Sequence, residues 1–199
     1  HTQRRRQRQM CIRDRCTTNC LAPVAKVLDK VCGINQGYMT TVHAFTGDQS
    51  ILDSLHSDER RARASSVSMI PSSTGAAKAV GLVLPQLQGR LDGTAVRVPT
   101  PNVSMIDLVF NSKRKIDTVT INKAMINASK GELKGVLGVE DKPLVSIDYN
   151  HNPLSSIFDL TQTQVINGRL GRILSWYDNE WGFANRMSDT ASFIGKLIN

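Results

Sequence analysis

Apolar residues recur at helical spacing near the start of the chain. Over Thr17–Val31 they fall three or four positions apart, which predicts a helix. The next segment, Gln36–Phe45, alternates between apolar and polar residues and is rich in β-branched side chains, so it is predicted to be a strand. A second helix is predicted over Ala76–Leu84, because Pro85 cannot continue it.

Strands dominate the rest of the periodic pattern. Further helices are predicted over Thr120–Ser129 and over Asn179–Ile198, which closes the chain. The predicted strands are Thr94–Val98, Val103–Asn111, Leu144–Asp148, Ile157–Leu160, Gln164–Asn167 and Arg169–Tyr177. Because strands outnumber crossover helices and short links join them, we predict an α+β fold with a largely antiparallel or mixed sheet packed on helices.

Two segments lack a periodic pattern. Residues 47–73 are mostly polar, and a stretch of this length without regular structure is usually functional or interfacial. Residues 1–15 have two aliphatic side chains and cannot offset their ordering entropy by burial. We interpret residues 1–15 as a non-native or disordered basic segment that looks like translated adaptor sequence, and place the folded domain at residues 16–199.

The net charge of +8 is concentrated in that first segment, where six arginines accompany one aspartate. The remainder is only mildly basic, which suits anionic metabolites and does not demand nucleic acid. No apolar run is long enough to cross a membrane, so no membrane association is expected. All four cysteines lie within the first 32 residues and no C-x-x-C pair occurs. We therefore expect a reducing cytoplasmic location and no metal site.

One cysteine and one histidine are candidates for chemistry. Cys16 stands at the predicted first turn of a helix, where free amide groups and the helix dipole favour a thiolate and could hold an oxyanion. His43 lies at the end region of the first predicted strand, where a turn begins, and an imidazole has a near-neutral pKa that suits proton transfer. Each residue alone is more often structural, so neither identifies a site by itself.

Two further features indicate anion binding. Thr74-Gly75 precedes a predicted helix, where a hydroxyl and backbone N–H groups converge. Arg97 lies inside an otherwise apolar strand and needs an anionic partner, either a carboxylate or a ligand phosphate. A G-x-G-x-x-G fingerprint is absent from the sequence, so no Rossmann unit is predicted.

Six motifs, taken together, resemble those of the glyceraldehyde-3-phosphate dehydrogenase family. They are C-T-T-N-C-L-A-P (Cys16–Pro23), T-V-H-A-F-T (Thr41–Thr46), R-R-A-R-A (Arg60–Ala64), I-P-S-S-T-G-A-A-K-A-V (Ile70–Val80), R-V-P-T-P-N-V-S (Arg97–Ser104) and S-W-Y-D-N-E-W-G-F (Ser175–Phe183). They occur in the family's order and spacing. The resemblance implies a catalytic domain without most of its Rossmann domain. It also implies oxidative phosphorylation of glyceraldehyde 3-phosphate to 1,3-bisphosphoglycerate with NAD or NADP, in glycolysis or gluconeogenesis.

The resemblance also implies roles for individual residues. Cys16 would attack the aldehyde carbon, and His43 would assist the thiol, act as base during hydride departure and later act as acid. A thiohemiacetal and then a thioester would form on Cys16, and inorganic phosphate would attack the thioester. The remaining residues would bind ligands. Thr46 and Arg97 would bind the substrate phosphate, and Asn179 would bind the nicotinamide carboxamide. The attacking phosphate would be bound by Thr17, Thr74 and Gly75.

Assembly and completeness follow from the same resemblance. Residues 47–73 correspond to the family's S-shaped loop, which packs on a neighbouring subunit, so a homotetramer is implied. Arg15 stands where the family has a serine that caps the helix and binds the attacking phosphate. An upstream cofactor domain is expected to be missing, so the chain alone should bind NAD poorly and turn over little.

Three other hypotheses remain open. Erythrose-4-phosphate dehydrogenases resemble this family but hydrolyse the thioester; the Thr74-Gly75 element favours the phosphorylating enzyme. A non-catalytic module could bind RNA phosphates through residues 1–15, although that segment lacks interleaved aromatic residues. An inactive truncated fragment is the third. The choice between NAD and NADP stays open, because the residue beside the adenosine ribose would lie upstream.

Overall fold

The structure is a computed structural model that describes residues 15–198. The interpretation of residues 1–15 as a non-native segment therefore lies outside the described residues, except that Arg15 begins the first helix.

A single mixed sheet organises residues 15–198. Its eight strands are β1 (Ile34–Ala44), β2 (Ile70–Ser73), β3 (Leu91–Val98), β4 (Ser104–Ser112), β5 (Leu137–Glu140), β6 (Ser156–Asp159), β7 (Gln164–Ile166) and β8 (Leu170–Tyr177). Seven of them follow the order β2-β3-β1-β4-β8-β6-β5, and β7 pairs with β8. The pairs β1–β3 and β5–β6 are parallel and the other pairs are antiparallel, which confirms the predicted fold class.

Four α-helices accompany the sheet within the same residues. They are α1 (Arg15–Cys32), α2 (Ala76–Val83), α3 (Thr118–Lys130) and α4 (Trp181–Ile198). The helical pattern read from the sequence is confirmed for each, with shifts of up to two residues at the ends. The helix α4 begins later than predicted because Asp178 caps it: its Oδ1 accepts the N–H groups of Glu180 and Trp181.

The main core forms where α1, α2 and α3 cover the sheet. Leu21, Val24 and Leu28 of α1 are fully or almost fully buried and pack with Ile106 and Leu108 of β4. Burying one such side chain contributes about 1.5–3 kcal/mol. This packing fixes the first turn of α1 relative to the end of β1.

One predicted strand is wrong. Leu144–Asp148 is not a strand; a short 3₁₀ helix covers Ser146–Tyr149, and Asp148 Oδ2 accepts the Val145 N–H. Val145 and Ile147 alternate with polar residues, but both are exposed, so their spacing does not report a buried face. The actual strand in this region is β5, which the sequence analysis missed because it is short and contains a glycine.

The irregular segment predicted at residues 47–73 is shorter than expected. Its last four residues form β2, an edge strand that pairs with β3. Pro71 is tolerated there because an edge strand can leave one side of its backbone unpaired. The residues before β2 form turns and bends and contain no helix or strand.

Candidate active site

The structure brings Cys16 and His43 together. Cys16 is the second residue of α1, and His43 is the last but one residue of β1. Their Sγ and Nε2 atoms are 3.5 Å apart, and both side chains are buried. A proton can therefore pass from the thiol to the imidazole without an intervening water.

Burial sets the protonation states of this pair. Desolvation raises the pKa of the Cys16 thiol, and it outweighs the lowering by hydrogen bonds with Thr17 and by the charge of Arg97. The lowered thiol pKa expected from the helix N-terminus is therefore wrong for this structure. Desolvation, and then the charge of Arg97, lower the pKa of His43 to about 3. At neutral pH the pair is a thiol facing a neutral imidazole.

Arg97 approaches His43 from the neighbouring strand. The two residues are direct register partners in the parallel pair β1–β3. The Nη1 atom of Arg97 lies 2.5 Å from His43 Nδ1 and 3.2 Å from the Ala44 carbonyl oxygen. Its Nε is buried and has no hydrogen-bond partner among the described residues. This guanidinium group can therefore still bind an anion.

The contacts of His43 Nδ1 determine whether Nε2 accepts the proton of the Cys16 thiol or already carries a proton. Nδ1 also lies 2.7 Å from the Ala44 carbonyl oxygen. If Nδ1 donates to that carbonyl, Nε2 is an acceptor and can take the thiol proton. If Nδ1 instead accepts from Arg97, Nε2 carries the proton. The position of Arg97 therefore selects between two states of the His43 imidazole.

Tyr177 is a part of the site that the sequence analysis missed. Its hydroxyl is bonded to Thr17 Oγ1 at 2.8 Å and to Thr41 Oγ1 at 3.0 Å. Its ring meets the His43 ring edge-on, with 5.9 Å between centroids. Thr17, predicted to hold the attacking phosphate, is buried with its hydroxyl bonded to Tyr177. The sequence did contain a signal for Tyr177, because a phenol at an inward position of an apolar strand needs a hydrogen-bond partner.

Asn179 is joined to the end of β1 by Ser104. The Ser104 Oγ atom accepts the Ala44 N–H at 3.0 Å and donates to Asn179 Oδ1 at 3.1 Å. All three residues are buried. Sequence analysis assigned no role to Ser104, although a serine at an inward strand position was a visible signal.

The other predicted ligand-binding residues lie at two chain turns. Thr46 follows β1, and its hydroxyl donates to Gln49 Oε1. Thr74 and Gly75 precede α2, and Thr74 Oγ1 accepts the Ala76 N–H at 3.2 Å. Thr18 donates to the Ala76 carbonyl at 3.2 Å, so α2 begins against the first turn of α1.

Arg61 and Asp48 form a further charged pair in the segment predicted to be interfacial. They make an ion pair at 2.5 Å, with both side chains largely buried. Both charges act on the pKa of Arg97: Asp48 raises it and Arg61 lowers it, although burial of Arg97 has the largest influence and lowers it. The segment therefore contributes charge to the surroundings of Arg97.

Comparison with known proteins decides the family. The family model described as "Glyceraldehyde 3-phosphate dehydrogenase, C-terminal domain" matches residues 15–179. The chain belongs to this family. A glyceraldehyde-3-phosphate dehydrogenase of Xanthobacter flavus is 66% identical over 182 residues, which cover 92% of this chain and 54% of the relative.

Two other relatives agree. The glyceraldehyde-3-phosphate dehydrogenase of Cereibacter sphaeroides is 61% identical over 92% of this chain and 55% of its own length. Glyceraldehyde-3-phosphate dehydrogenase 1 of Bacillus subtilis is 55% identical over 91% of this chain and 54% of its own length. The chain thus spans about half the length of the curated relatives it matches.

Two kinds of feature are absent from the described residues. No helix in residues 15–198 is both long and apolar enough to cross a membrane. The same residues contain no group of three or more His, Cys, Asp or Glu side chains placed to hold a metal ion.

Proposed function

We propose that this chain is the catalytic domain of a phosphorylating glyceraldehyde-3-phosphate dehydrogenase of the cytoplasm. The observation that carries the proposal is the contact sequence from Cys16 Sγ through His43 to Arg97. It places a nucleophile, a base and a guanidinium group in one cluster of contacting side chains, and that guanidinium group has no carboxylate partner among the described residues. An aldehyde that carries a phosphate group fits this arrangement of charges and reactive atoms.

In the proposed reaction, the Cys16 sulfur adds to the aldehyde carbon of glyceraldehyde 3-phosphate to form a thiohemiacetal. His43 Nε2 takes the hydroxyl proton as hydride leaves the same carbon, and a thioester remains on Cys16. Inorganic phosphate attacks the thioester carbon and releases the sulfur, which recovers a proton from His43. NAD or NADP, when bound, accepts the hydride, and Asn179 would bind the nicotinamide carboxamide.

Substrate binding would also prepare the base. A phosphate on Arg97, together with the Thr46 hydroxyl, would compete with His43 Nδ1 for the guanidinium group. Nδ1 would then donate to the Ala44 carbonyl and leave Nε2 free to accept. Because the charge of Arg97 is one cause of the lowered pKa of His43, neutralising it would also raise that pKa.

The attacking phosphate would bind at Thr74 and Gly75, beside the first turn of α1. Thr17 would support this site through Tyr177 more than by direct contact, because its hydroxyl is already bonded to Tyr177.

We also propose that the active enzyme is a homotetramer in which residues 47–73 lie against another copy. That segment exposes large apolar side chains, which favours a protein partner: Ile51, Leu52, Leu55, Val67 and Met69. The mass of the enzyme by light scattering tests this, and a monomer at working concentration would contradict it.

The activity itself is tested by joining this chain to the N-terminal half of the Xanthobacter flavus relative. We expect NAD reduction with glyceraldehyde 3-phosphate that requires inorganic phosphate, and Cys16→Ser should abolish it. Reduction without phosphate would instead indicate the thioester hydrolysis of an erythrose-4-phosphate dehydrogenase. The 199-residue chain alone should be alkylated at Cys16 but turn over little, and rapid turnover would overturn that expectation.

A further inference from the structure

The short turn between β7 and β8 contains the only Asn-Gly pair in the sequence, Asn167-Gly168. The φ values of the two residues are 51° and 64°, and the Arg169 N–H donates to the Ile166 carbonyl oxygen at 3.2 Å. Two consecutive positive φ angles closed by such a hydrogen bond are typical of a type I′ turn, in which Asn-Gly is a preferred pair. Asn167 is exposed, so the turn presents it to water.

An asparagine that precedes a glycine can lose its side-chain amide, because glycine has no side chain to shield its nitrogen. The Gly168 nitrogen bonds to Asn167 Cγ, the bond from Cγ to the side-chain nitrogen breaks, and ammonia leaves with the proton of the Gly168 N–H. Water then opens the five-membered imide at either carbonyl, which gives aspartate or isoaspartate. Within residues 15–198 the Gly168 N–H donates no hydrogen bond, so no protein acceptor holds that proton.

The left-handed conformation of Asn167 keeps the reacting atoms apart. A φ of 51° restricts a residue other than glycine to the left-handed α region, where ψ is about 47°. This ψ places the Gly168 nitrogen nearly opposite the Asn167 Cβ across the Cα–C bond. The imide ring closes only when that nitrogen and Cβ lie on the same side of the bond. The turn must therefore open before the reaction can occur.

Hydrogen bonds from two neighbouring residues hold the turn closed. The Ile116 N–H donates to the Gly168 carbonyl oxygen at 2.9 Å. The Ser112 N–H donates to the Arg169 carbonyl oxygen at 2.9 Å, and the Ser112 hydroxyl lies 3.1 Å from the same oxygen and donates to the Arg114 carbonyl at 2.7 Å. The strand β7 itself has three residues and, among the described strands, pairs with β8 alone. So short a strand opens at a lower free energy than the core does.

We propose that Asn167 is a modification site that deamidates spontaneously in water, and does so only when the turn between β7 and β8 opens. This inference does not rest on the proposed function. The product carries a carboxylate next to Arg169, and its isoaspartate form adds one methylene group to the backbone of a two-residue turn. The altered turn no longer brings the Gly168 carbonyl to Ile116, a core residue just ahead of α3. Deamidation therefore releases β7 and loosens the chain ahead of α3, and water does not reverse it.

The test follows Asn167 in the full 199-residue chain at mildly alkaline pH, by the mass increase of the peptide that contains it. Labelling by a protein isoaspartyl methyltransferase identifies the isoaspartate product. A synthetic peptide with the sequence of residues 162–173 gives the rate without the contacts that close the turn. The folded chain should react at Asn167 at least roughly 10-fold more slowly than the peptide, because opening the turn costs free energy. Equal rates in the chain and the peptide would overturn the proposal.

Two serine variants test whether the contacts of the turn control the rate. Ser112→Ala should speed deamidation of Asn167 in the folded chain about 5-fold, as expected when one hydrogen bond beside the turn is lost. The matched control, Ser129→Ala, removes a hydroxyl that donates to the Ile126 carbonyl within α3, and it should leave the rate unchanged. An equal rate in Ser112→Ala and in the unmodified chain would contradict control by the turn. The comparison with the peptide needs no variant, so it remains decisive if Ser112→Ala does not fold.

Discussion

The helices α1 and α4 have the same length, 18 residues, and opposite surroundings. In α1 the apolar side chains are buried against the sheet. In α4 the described buried residue is Gly182, whereas Phe193, Ile194 and Leu197 are at least half exposed. An apolar period of 3.6 residues thus predicts a helix in both places, but it does not tell whether a partner covers the apolar face.

The difference extends to the active site. The first turn of α1 carries Cys16, and core packing along the whole length of the helix holds this turn in place. The first turn of α4 follows Asn179 and is fixed locally, by the Asp178 cap and by close packing of Gly182 on Leu154. Among the described residues, a hydrophobic core thus holds the Cys16 thiol in place, whereas a few local contacts hold Asn179, the proposed cofactor contact.

The largest expected effect comes from emptying the core beneath α1. Leu21→Ala should lower the free energy of unfolding by about 2–5 kcal/mol, because it leaves a cavity in a fully buried position. Urea denaturation of the 199-residue chain measures this. A loss below 1 kcal/mol, on the order of an exposed substitution, would contradict the contrast between the helices.

A smaller effect is expected at the docking point of α4. Gly182→Ala would place a Cβ 2.6 Å from the Leu154 carbonyl oxygen, so the helix start must shift, at a cost of about 1–3 kcal/mol. The matched control is Gly195→Ala on the same helix, where nothing lies within 4 Å of the added atom. The control should gain about 0.5–1 kcal/mol from better helix propensity. Equal responses in thermal melting would show that Gly182 does not anchor α4.

The buried imidazole beside α1 should make the chain acid-sensitive. The pKa of His43 is about 3 when folded and 6.5 when unfolded, so between these values the unfolded state binds more protons. The stability due to neutral His43 is complete above pH 6.5 and is lost as the pH falls towards 3. His43→Gln should therefore flatten the decline in melting temperature over this range. An unchanged slope would mean that His43 is not desolvated as described.

The smallest effect is expected on the exposed face of α4. Leu197→Ser should change the free energy of unfolding of the isolated chain by no more than about 0.5 kcal/mol, because the side chain is 70% exposed. Chemical denaturation beside Leu21→Ala checks this directly. A loss of several kcal/mol would show that α4 is covered in solution.

The helices and most strands could be predicted because a buried apolar face requires apolar residues at regular spacing in the sequence. The strand prediction for Leu144–Asp148 was wrong because Val145 and Ile147 have the spacing of a half-buried strand although both are exposed. In the site, Cys16, His43 and Arg97 were found from residue type and position, and the structure joins them by contact. Their proposed roles remain predictions. Ser104 and Tyr177 were not found as site residues, because their inward strand positions were visible in the sequence but their distant hydrogen-bond partners were not.

The register of β1 and β3 has a consequence for how this chain can change. His43 and Arg97 face each other because the two strands pair without a bulge from Gly37↔Leu91 to Ala44↔Val98. Inserting or deleting one residue ahead of His43 in β1 would turn His43 to the opposite side of the sheet, and the same change ahead of Arg97 in β3 would turn Arg97. Loops elsewhere can vary in length, whereas β1 and β3 can accept substitutions but cannot gain or lose residues. Directed evolution of this domain should therefore yield substitutions in β1 and β3, and no surviving insertions.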